Sequence, residues 1–282
     1  MNTNNVQSIL SAALETSIRV EISRDALGAA ELSAAERVRV NQFCHAQRRE
    51  DWLRGRRALH CLMQSRGMPP DTSLLEFPHA EISLTHSTDV AIAAGAKGVA
   101  GVGIDYECWR EVQPRMARWF LSADERAWLE GTSIDAVGAA IRHLERPCGS
   151  GFSRGRLSRE CFDSQTPGFA AEAAPTSEIP ASKKGFSRSL VAAIGASREP
   201  LPQQMSSPPE VSRELLRLWT VKEALFKACP QNAGLVLADI HMPNPDRATG
   251  VALIPTRKSL RFRYTSLVME TGVLSLALAK EQ

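Results

Sequence analysis

The chain has 282 residues, of which 43% are hydrophobic and 23% are charged. This composition is that of a globular protein, and the length fits two compact units with linkers better than one small core. The net charge of +3, from 34 Lys and Arg against 31 Asp and Glu, does not by itself indicate a nucleic-acid-binding protein.

The cysteines and the apolar runs exclude several further classes. The six cysteines are scattered without a C-x-x-C pair, so neither a zinc site nor a disulfide framework is indicated. The N-terminal residues M-N-T-N-N-V-Q-S lack the basic-then-apolar pattern of a signal peptide. The longest weakly polar run, residues 90–104, is interrupted by Lys97 and by four glycines and does not read as a membrane span. We therefore expect a soluble, cytoplasmic protein.

The first part of the chain predicts a strand over residues 17–23 and a helix that begins near Ser33. Ser33 and Glu36 have the spacing of a capping box. A second helical stretch carries Arg54, Arg56 and Arg57 within one turn. These arginines form either a solvated helix face or a clamp for phosphate, which guanidinium groups bind in fixed geometry.

Residues 81–94 alternate in strand fashion on both sides of a polar centre, T-H-S-T-D. This pattern predicts a hairpin with His86 at the bend. A lone histidine is usually a surface or core residue. His86, however, stands between the hydroxyls of Thr85 and Ser87, and all three groups can contact phosphate oxygens.

The stretch V-A-G-V-G-I-D-Y-E, residues 99–107, predicts a short buried strand that ends in two carboxylates. It lacks the full G-x-G-x-x-G of a dinucleotide loop. Asp105 and Glu107 are two residues apart and point to the same side of a strand. They form either an ordinary polar strand end or a pair of oxygen ligands suited to Mg²⁺.

Another helix is predicted to begin at Ser122, with Glu125 three residues on. The composition then changes, because residues 147–210 hold eight of the sixteen prolines and show no sustained periodicity. We expect this segment to be a long, low-complexity and largely disordered insertion.

A strongly helical stretch, L-W-T-V-K-E-A-L-F-K-A, follows at residues 218–228. Lys222 falls inside its apolar face, whereas Glu223 and Lys227 lie one turn apart at the edge of that face. Lys222 either reaches solvent along its methylene stem or meets an anionic partner. Strands are expected near residues 235–240, 251–254, 261–264 and 273–279.

Four of these motifs, taken in order, resemble those of the 4′-phosphopantetheinyl transferases, in the long, two-lobed group of that family. The resemblance covers roughly residues 35–130 and 211–280. The motifs that carry it are T-H-S at 85–87, G-V-G-I-D-Y-E at 101–107, F-L-S-A-D-E at 120–125 and L-W-T-V-K-E-A-L-F-K-A at 218–228.

The resemblance implies an α+β fold of two similar lobes related by a pseudo-twofold axis, and hence a monomer that is a pseudo-dimer. The N-terminal lobe would span residues 1–103. The C-terminal lobe would span residues 104–282, interrupted by the insertion at 147–210. Coenzyme A would lie in the cleft between the lobes.

The implied reaction moves the 4′-phosphopantetheine arm of coenzyme A to a serine of an apo acyl or peptidyl carrier protein. The products are a holo carrier protein and adenosine 3′,5′-bisphosphate, in polyketide, nonribosomal peptide or fatty-acid synthesis. Such enzymes serve secondary metabolism and antibiotic biosynthesis. The partners are coenzyme A and carrier proteins, without nucleic acid or membrane.

The resemblance also implies roles for single residues. Asp105, Glu107 and Glu223 would hold Mg²⁺, and Glu223 or a water that it orients would take the proton from the carrier serine. Lys227 would contact the pyrophosphate with Lys222 beside it, so that the catalytic set is Glu223, Lys227, Lys222 and Asp105. The remaining contacts to coenzyme A, around its 3′-phosphate, would come from Thr85 (where a serine is usual), His86, Ser87, Arg54 and Arg56.

Two other functions use the same residues. One is another Mg²⁺-dependent phosphotransferase or pyrophosphohydrolase, which needs no carrier protein, although no Walker-type loop or kinase signature is present. The other is a non-catalytic module that binds carrier proteins or RNA. A pure binder has no need of three convergent carboxylates.

Overall fold

The computed structural model describes residues 2–131 and 210–282, which form a mixed α+β fold with two antiparallel sheets and several helices. The described residues belong to one compact unit. The predicted insertion at 147–210 lies outside the described residues except for Glu210, which is the first residue of a helix. The predicted lobe boundary between residues 103 and 104 falls inside a strand.

Helices and strands are interspersed along the chain. The helices are α1 (Thr3–Leu14), α2 (Ala34–Val40), α3 (Ala46–Ser65), α4 (Ala117–Phe120), α5 (Ala123–Gly131) and α6 (Glu210–Ala228). The strands are β1 (Ile18–Ser23), β2 (Ile82–Ser87), β3 (Val90–Ala96), β4 (Gly101–Cys108), β5 (Thr249–Ala252), β6 (Leu260–Met269) and β7 (Gly272–Glu281). Short 3₁₀ turns lie at Pro114–Met116 and Leu237–Asp239.

Most predicted elements are confirmed, and two details are wrong. The capping box at α2 is present, because Ser33 Oγ accepts a hydrogen bond from Glu36 N and Glu36 Oε2 accepts one from Ser33 N. His86 lies within β2 and not at the bend of the hairpin. The strand predicted at residues 235–240 is instead a 3₁₀ turn, and the carbonyls of Leu237 and Ile240 accept hydrogen bonds from a lysine rather than from a strand.

The first sheet has the order β1-β3-β2 and the second the order β4-β7-β6-β5. One core lies between α3 and one face of the first sheet. A second core lies between the other face of that sheet, helix α1 and the second sheet. The third and largest core lies between the opposite face of the second sheet and α6. Each long helix therefore covers the outer face of one sheet.

Helix α6 passes so close to β4 that only glycine fits beneath it. A Cβ built on Gly103 would lie 1.8 Å from the carbonyl oxygen of Ala224, and one on Gly101 would lie 1.9 Å from that of Ala228. The G-V-G spacing of this strand thus serves helix packing, a role that glycine fills wherever two backbones approach closely.

None of the helices within residues 2–131 and 210–282 is long and apolar enough to cross a membrane.

We expect Gly103→Ala to destabilise the protein strongly, because a helix backbone cannot give way as a side chain can. The free energy of unfolding should fall by about 1–3 kcal/mol or more. Gly55→Ala in α3 is the matched control, since its Cβ would meet only the end of the Leu84 side chain, at 3.2 Å. Thermal melting of both variants checks this, and equal melting temperatures would contradict the close approach.

Candidate functional site

The site is built around Asp105, near the C-terminal end of β4. Its Oδ1 accepts hydrogen bonds from Lys227 Nζ at 2.7 Å and from Thr85 Oγ1 at 3.2 Å. Lys227 reaches it from the last turn of α6 and also donates to the carbonyl of Ile104 at 3.2 Å. The second oxygen, Asp105 Oδ2, is buried and has no hydrogen-bond partner among residues 2–131 and 210–282. Asp105 is therefore held through one oxygen and free at the other.

Glu107 and Glu223 complete an acidic cluster with Asp105. Burial and the charge of Asp105 raise the pKa of Glu107, against the opposing effects of Arg110 and Lys227. Burial raises the pKa of Glu223 to about 7; Lys227 opposes this shift, and Asp105 and Glu107 add to it. These mutual effects mean that the three carboxylates are close enough to repel one another.

Cations also lie beside this cluster: Arg110, 3.5 Å from Glu107, and Lys227, which contacts Asp105. Burial acts to lower the pKa of Lys227, but Asp105 and Glu223 outweigh that effect and raise it overall. Its ammonium group is thus kept charged beside the carboxylates, where it can meet an incoming anion such as a phosphate.

The described parts of the chain contain no group of three or more His, Cys, Asp or Glu side chains arranged to hold a metal ion. The donor chemistry of the cluster nevertheless fits a hard divalent cation, because all three side chains offer carboxylate oxygens. The unpartnered Asp105 Oδ2 is a further fit, since a buried carboxylate oxygen is costly without a partner. Magnesium at Asp105, Glu107 and Glu223 stays a prediction.

His86 lies beside this cluster at the end of β2, and its side chain is exposed to solvent. Neighbouring protein atoms still shield the ring in part from water, and this desolvation lowers the pKa of His86. Lys227 and Arg54 add to the shift, while Asp51 and Asp105 oppose it. The structure thus brings His86 together with Asp105 and Lys227, although the three come from different motifs.

The hydroxyl groups on either side of His86 already have protein partners. Thr85 is buried, donates to Asp105 and accepts a hydrogen bond from Tyr106 N at 3.2 Å. Ser87 Oγ donates to Cys108 Sγ at 3.5 Å. The predicted contact of these two hydroxyls with phosphate therefore has to compete with existing hydrogen bonds.

Both predicted phosphate-binding arginines are buried rather than displayed on a solvated helix face. Arg54, 5% exposed, forms ion pairs with Glu50 at 2.8 Å and Asp51 at 3.1 Å. Arg56, 6% exposed, donates to Thr72 Oγ1 at 2.9 Å. The spacing of Glu50 and Asp51, four and three residues before Arg54, was the available signal for these ion pairs.

The Arg56 guanidinium also lies over the Trp52 ring, with its carbon 4.7 Å from the ring centroid. The guanidinium group thus connects α3 to the loop that carries Thr72. Arg56 therefore already packs on an aromatic ring in addition to its hydrogen bond.

Lys222 has an anionic partner, but that partner is Glu125 of α5. Its Nζ lies 2.6 Å from Glu125 Oε2 and also donates to the carbonyls of Leu237 and Ile240. Neither side chain is more than 1% exposed. Burial lowers the pKa of Lys222, and Glu125 opposes that shift. The ammonium group of Lys222 thus already has three protein partners, and its predicted place beside the pyrophosphate stays a prediction.

Glu125 is the residue that sequence reasoning did not connect with the lysine. Its Oε2 also accepts a hydrogen bond from Ser122 N at 2.8 Å, and its Oε1 accepts one from Met242 N at 2.8 Å. The Ser122–Glu125 spacing revealed only the capping role. Nothing in the sequence links Glu125 to a lysine in a helix so far along the chain.

No protein-family model matches the chain, and no curated protein matches its sequence.

We expect Lys222→Met to cost about 3–5 kcal/mol of stability, because it leaves the Glu125 carboxylate buried without a cation. Combining it with Glu125→Gln should recover part of this loss, since the pair then carries no charge. Lys258→Met, at an exposed lysine, is the control and should change stability by no more than about 0.5 kcal/mol. Denaturant unfolding compares the three, and a Lys222→Met loss as small as the control would contradict the buried pair.

Proposed function

We propose that this protein is a 4′-phosphopantetheinyl transferase that moves the phosphopantetheine arm of coenzyme A to a serine of an apo acyl or peptidyl carrier protein. The observation that carries the proposal is the meeting of three distant motifs in one charged cluster. Residues 85–87, 101–107 and 218–228 contribute His86, Asp105 with Glu107, and Glu223 with Lys227. These are three of the four motifs on which the resemblance rests.

The proposal includes two similar lobes about a pseudo-twofold axis. It is supported by the repetition of one arrangement, in which an antiparallel sheet is covered on its outer face by a long helix, α3 or α6. The cluster lies where β2 of the first sheet approaches β4 of the second. A ligand at this position would therefore contact both halves.

In the proposed reaction the serine oxygen of the carrier attacks the phosphorus that bears the pantetheine arm. A new P–O bond forms, and the bond to the bridging oxygen of the pyrophosphate breaks. Adenosine 3′,5′-bisphosphate leaves, and the serine proton passes to Glu223 or to a water that Glu223 orients.

The chain's own residues would supply binding and charge. Ile104 and Asp105 engage two of the three N–H donors of Lys227, and the third would reach the pyrophosphate and stabilise the charge that develops there. His86 would face the 3′-phosphate, and Arg54, which is held by Glu50 and Asp51, would add positive charge near it. Asp105, Glu107 and Glu223 would hold Mg²⁺, which when bound would draw negative charge from the pyrophosphate. Lys222 is left out of the substrate contacts because Glu125 and two carbonyls already engage its ammonium group.

The test is to incubate the protein with coenzyme A, Mg²⁺ and an apo carrier protein and to measure the mass of the carrier by mass spectrometry. The carrier should gain the mass of one phosphopantetheine group, with one adenosine 3′,5′-bisphosphate released for each carrier modified. Release of that nucleotide at the same rate without carrier, and no mass gain, would instead identify a pyrophosphohydrolase.

Asp105→Asn should lower kcat/KM for transfer by about a hundredfold or more, because it removes a preorganised charge from the reacting centre. The variant should stay folded, since the exchange keeps the shape of the side chain and relieves repulsion among the carboxylates. Asp124→Asn, at an exposed position of α5, is the matched control. Near-normal transfer by a folded Asp105→Asn protein would remove Asp105 from the mechanism.

A further inference from the structure

The hydroxyl side chains of β2 join the first sheet to the second. Ser83 Oγ accepts a hydrogen bond from Ile104 N at 3.1 Å, and Thr85 Oγ1 accepts one from Tyr106 N at 3.2 Å. Both side chains are buried, and their spacing of two residues sets them on one face of the strand. They satisfy backbone donors along the edge of β4 that β7 does not occupy.

Thr85 differs from Ser83 in making a second bond, to a carboxylate. Its hydroxyl donates to Asp105 Oδ1 at 3.2 Å. A hydroxyl has one proton to donate, and a phosphate oxygen needs a donor. The Thr85 hydroxyl donates its proton in the hydrogen bond to Asp105, and Thr85 is only 3% exposed. It therefore has no donor left for a phosphate oxygen.

The bond from Thr85 also decides which oxygen of Asp105 is free. Oδ1 receives both Thr85 and Lys227, whereas Oδ2 has no partner within residues 2–131 and 210–282. Asp105 is only 6% exposed, so its orientation is set by these contacts and not by solvent. Two donors on one oxygen thus leave the other for an incoming cation.

We infer that Thr85 is a positioning residue, which fixes Asp105 through Oδ1 so that Oδ2 is available to a divalent cation, and that it does not itself contact the 3′-phosphate of coenzyme A. The identity of the ligand rests on the proposed function. The role differs from the one that the family resemblance implies for this position, and the two roles predict different measurements.

The first measurement is Mn²⁺ binding to the full chain, followed by the electron paramagnetic resonance signal of free Mn²⁺. Thr85→Val, which keeps the shape but removes the hydroxyl, should weaken Mn²⁺ binding about ten- to hundredfold, the usual effect of removing a group that orients a metal ligand. Thr85→Ser should restore the wild-type affinity because it keeps the hydroxyl.

Ser83→Ala is the matched control for a purely structural effect. It removes the same kind of bond to β4 but touches no carboxylate. Mn²⁺ affinity should therefore stay at the wild-type value in Ser83→Ala, even if both variants melt at lower temperature. If Thr85→Val does not melt cooperatively, Thr85→Ala replaces it.

The second measurement is transfer with coenzyme A and with 3′-dephospho-coenzyme A. Thr85→Val should lower kcat with both and leave the ratio of their KM values unchanged. His86→Ala is the comparison for a residue that faces the phosphate, and it should raise KM for coenzyme A alone.

Three results would overturn the inference. One is a wild-type protein that binds no Mn²⁺, and another is equal Mn²⁺ affinity in Thr85→Val and Ser83→Ala. The third is a Thr85→Val protein that raises KM for coenzyme A alone, as a direct phosphate contact would. A wild-type protein that binds Mn²⁺ but transfers nothing would instead overturn the proposed function, and the Mn²⁺ comparison would still decide the role of Thr85.

Discussion

Helix α6 is held from two sides, and the positions of Glu223 and Lys227 in the site depend on that. On one side its backbone rests on β4, where Gly101 and Gly103 permit the close approach. On the other side Lys222 is bound to Glu125 with neither residue exposed to solvent. Glu223 and Lys227 project from the edge between these two contacts. A rotation or shift of the helix would break one of them, so the edge is fixed over Asp105.

The cluster that this produces is an electrostatic compromise. Three carboxylates meet Lys227, with Arg110 beside Glu107, and burial strengthens the repulsion among the carboxylates as well as their attraction to Lys227. Burial first, and then repulsion from the neighbouring carboxylates, raises the pKa values of Glu107 and Glu223. A further cation would reduce the repulsion among the carboxylates and so stabilise the cluster. An anion that arrives with that cation would form a favourable ion pair with Lys227. A metal-bound pyrophosphate brings both.

Local patterns in the sequence were sufficient for most of the fold. The alternation around T-H-S-T-D predicted β2 and β3, and the Ser33–Glu36 spacing predicted the start of α2, because these signals depend on neighbours in the chain. The strand predicted at residues 235–240 was wrong for the opposite reason. Carbonyls of this segment accept hydrogen bonds from Lys222, which is not a neighbour in the chain. The order of strands in each sheet likewise depends on contacts that no local pattern encodes.

The residues of the site likewise divide into those that the sequence could select and those that only the structure reveals. Spacing selected Asp105 and Glu107, the family resemblance supplied Glu223 and Lys227, and the structure brings the four together. The partner of Lys222 could not be selected in this way, because the spacing of Glu125 from Ser122 indicated only a helix cap. Spacing alone also does not show whether a charged side chain faces solvent or is buried in the fold.

The arginines illustrate that last point. Arg54 and Arg56 were equally consistent with a solvated face and a phosphate clamp. In the structure both are buried and bound to protein groups.

The proposed function requires that the cluster beneath α6 bind a divalent cation together with the pyrophosphate of coenzyme A. Anomalous diffraction from a crystal grown with coenzyme A and Mn²⁺ would locate both ligands. We expect a manganese peak against Asp105 Oδ2, with the pyrophosphate beside Lys227. Coenzyme A bound away from Lys227, or manganese bound only at other residues, would contradict it.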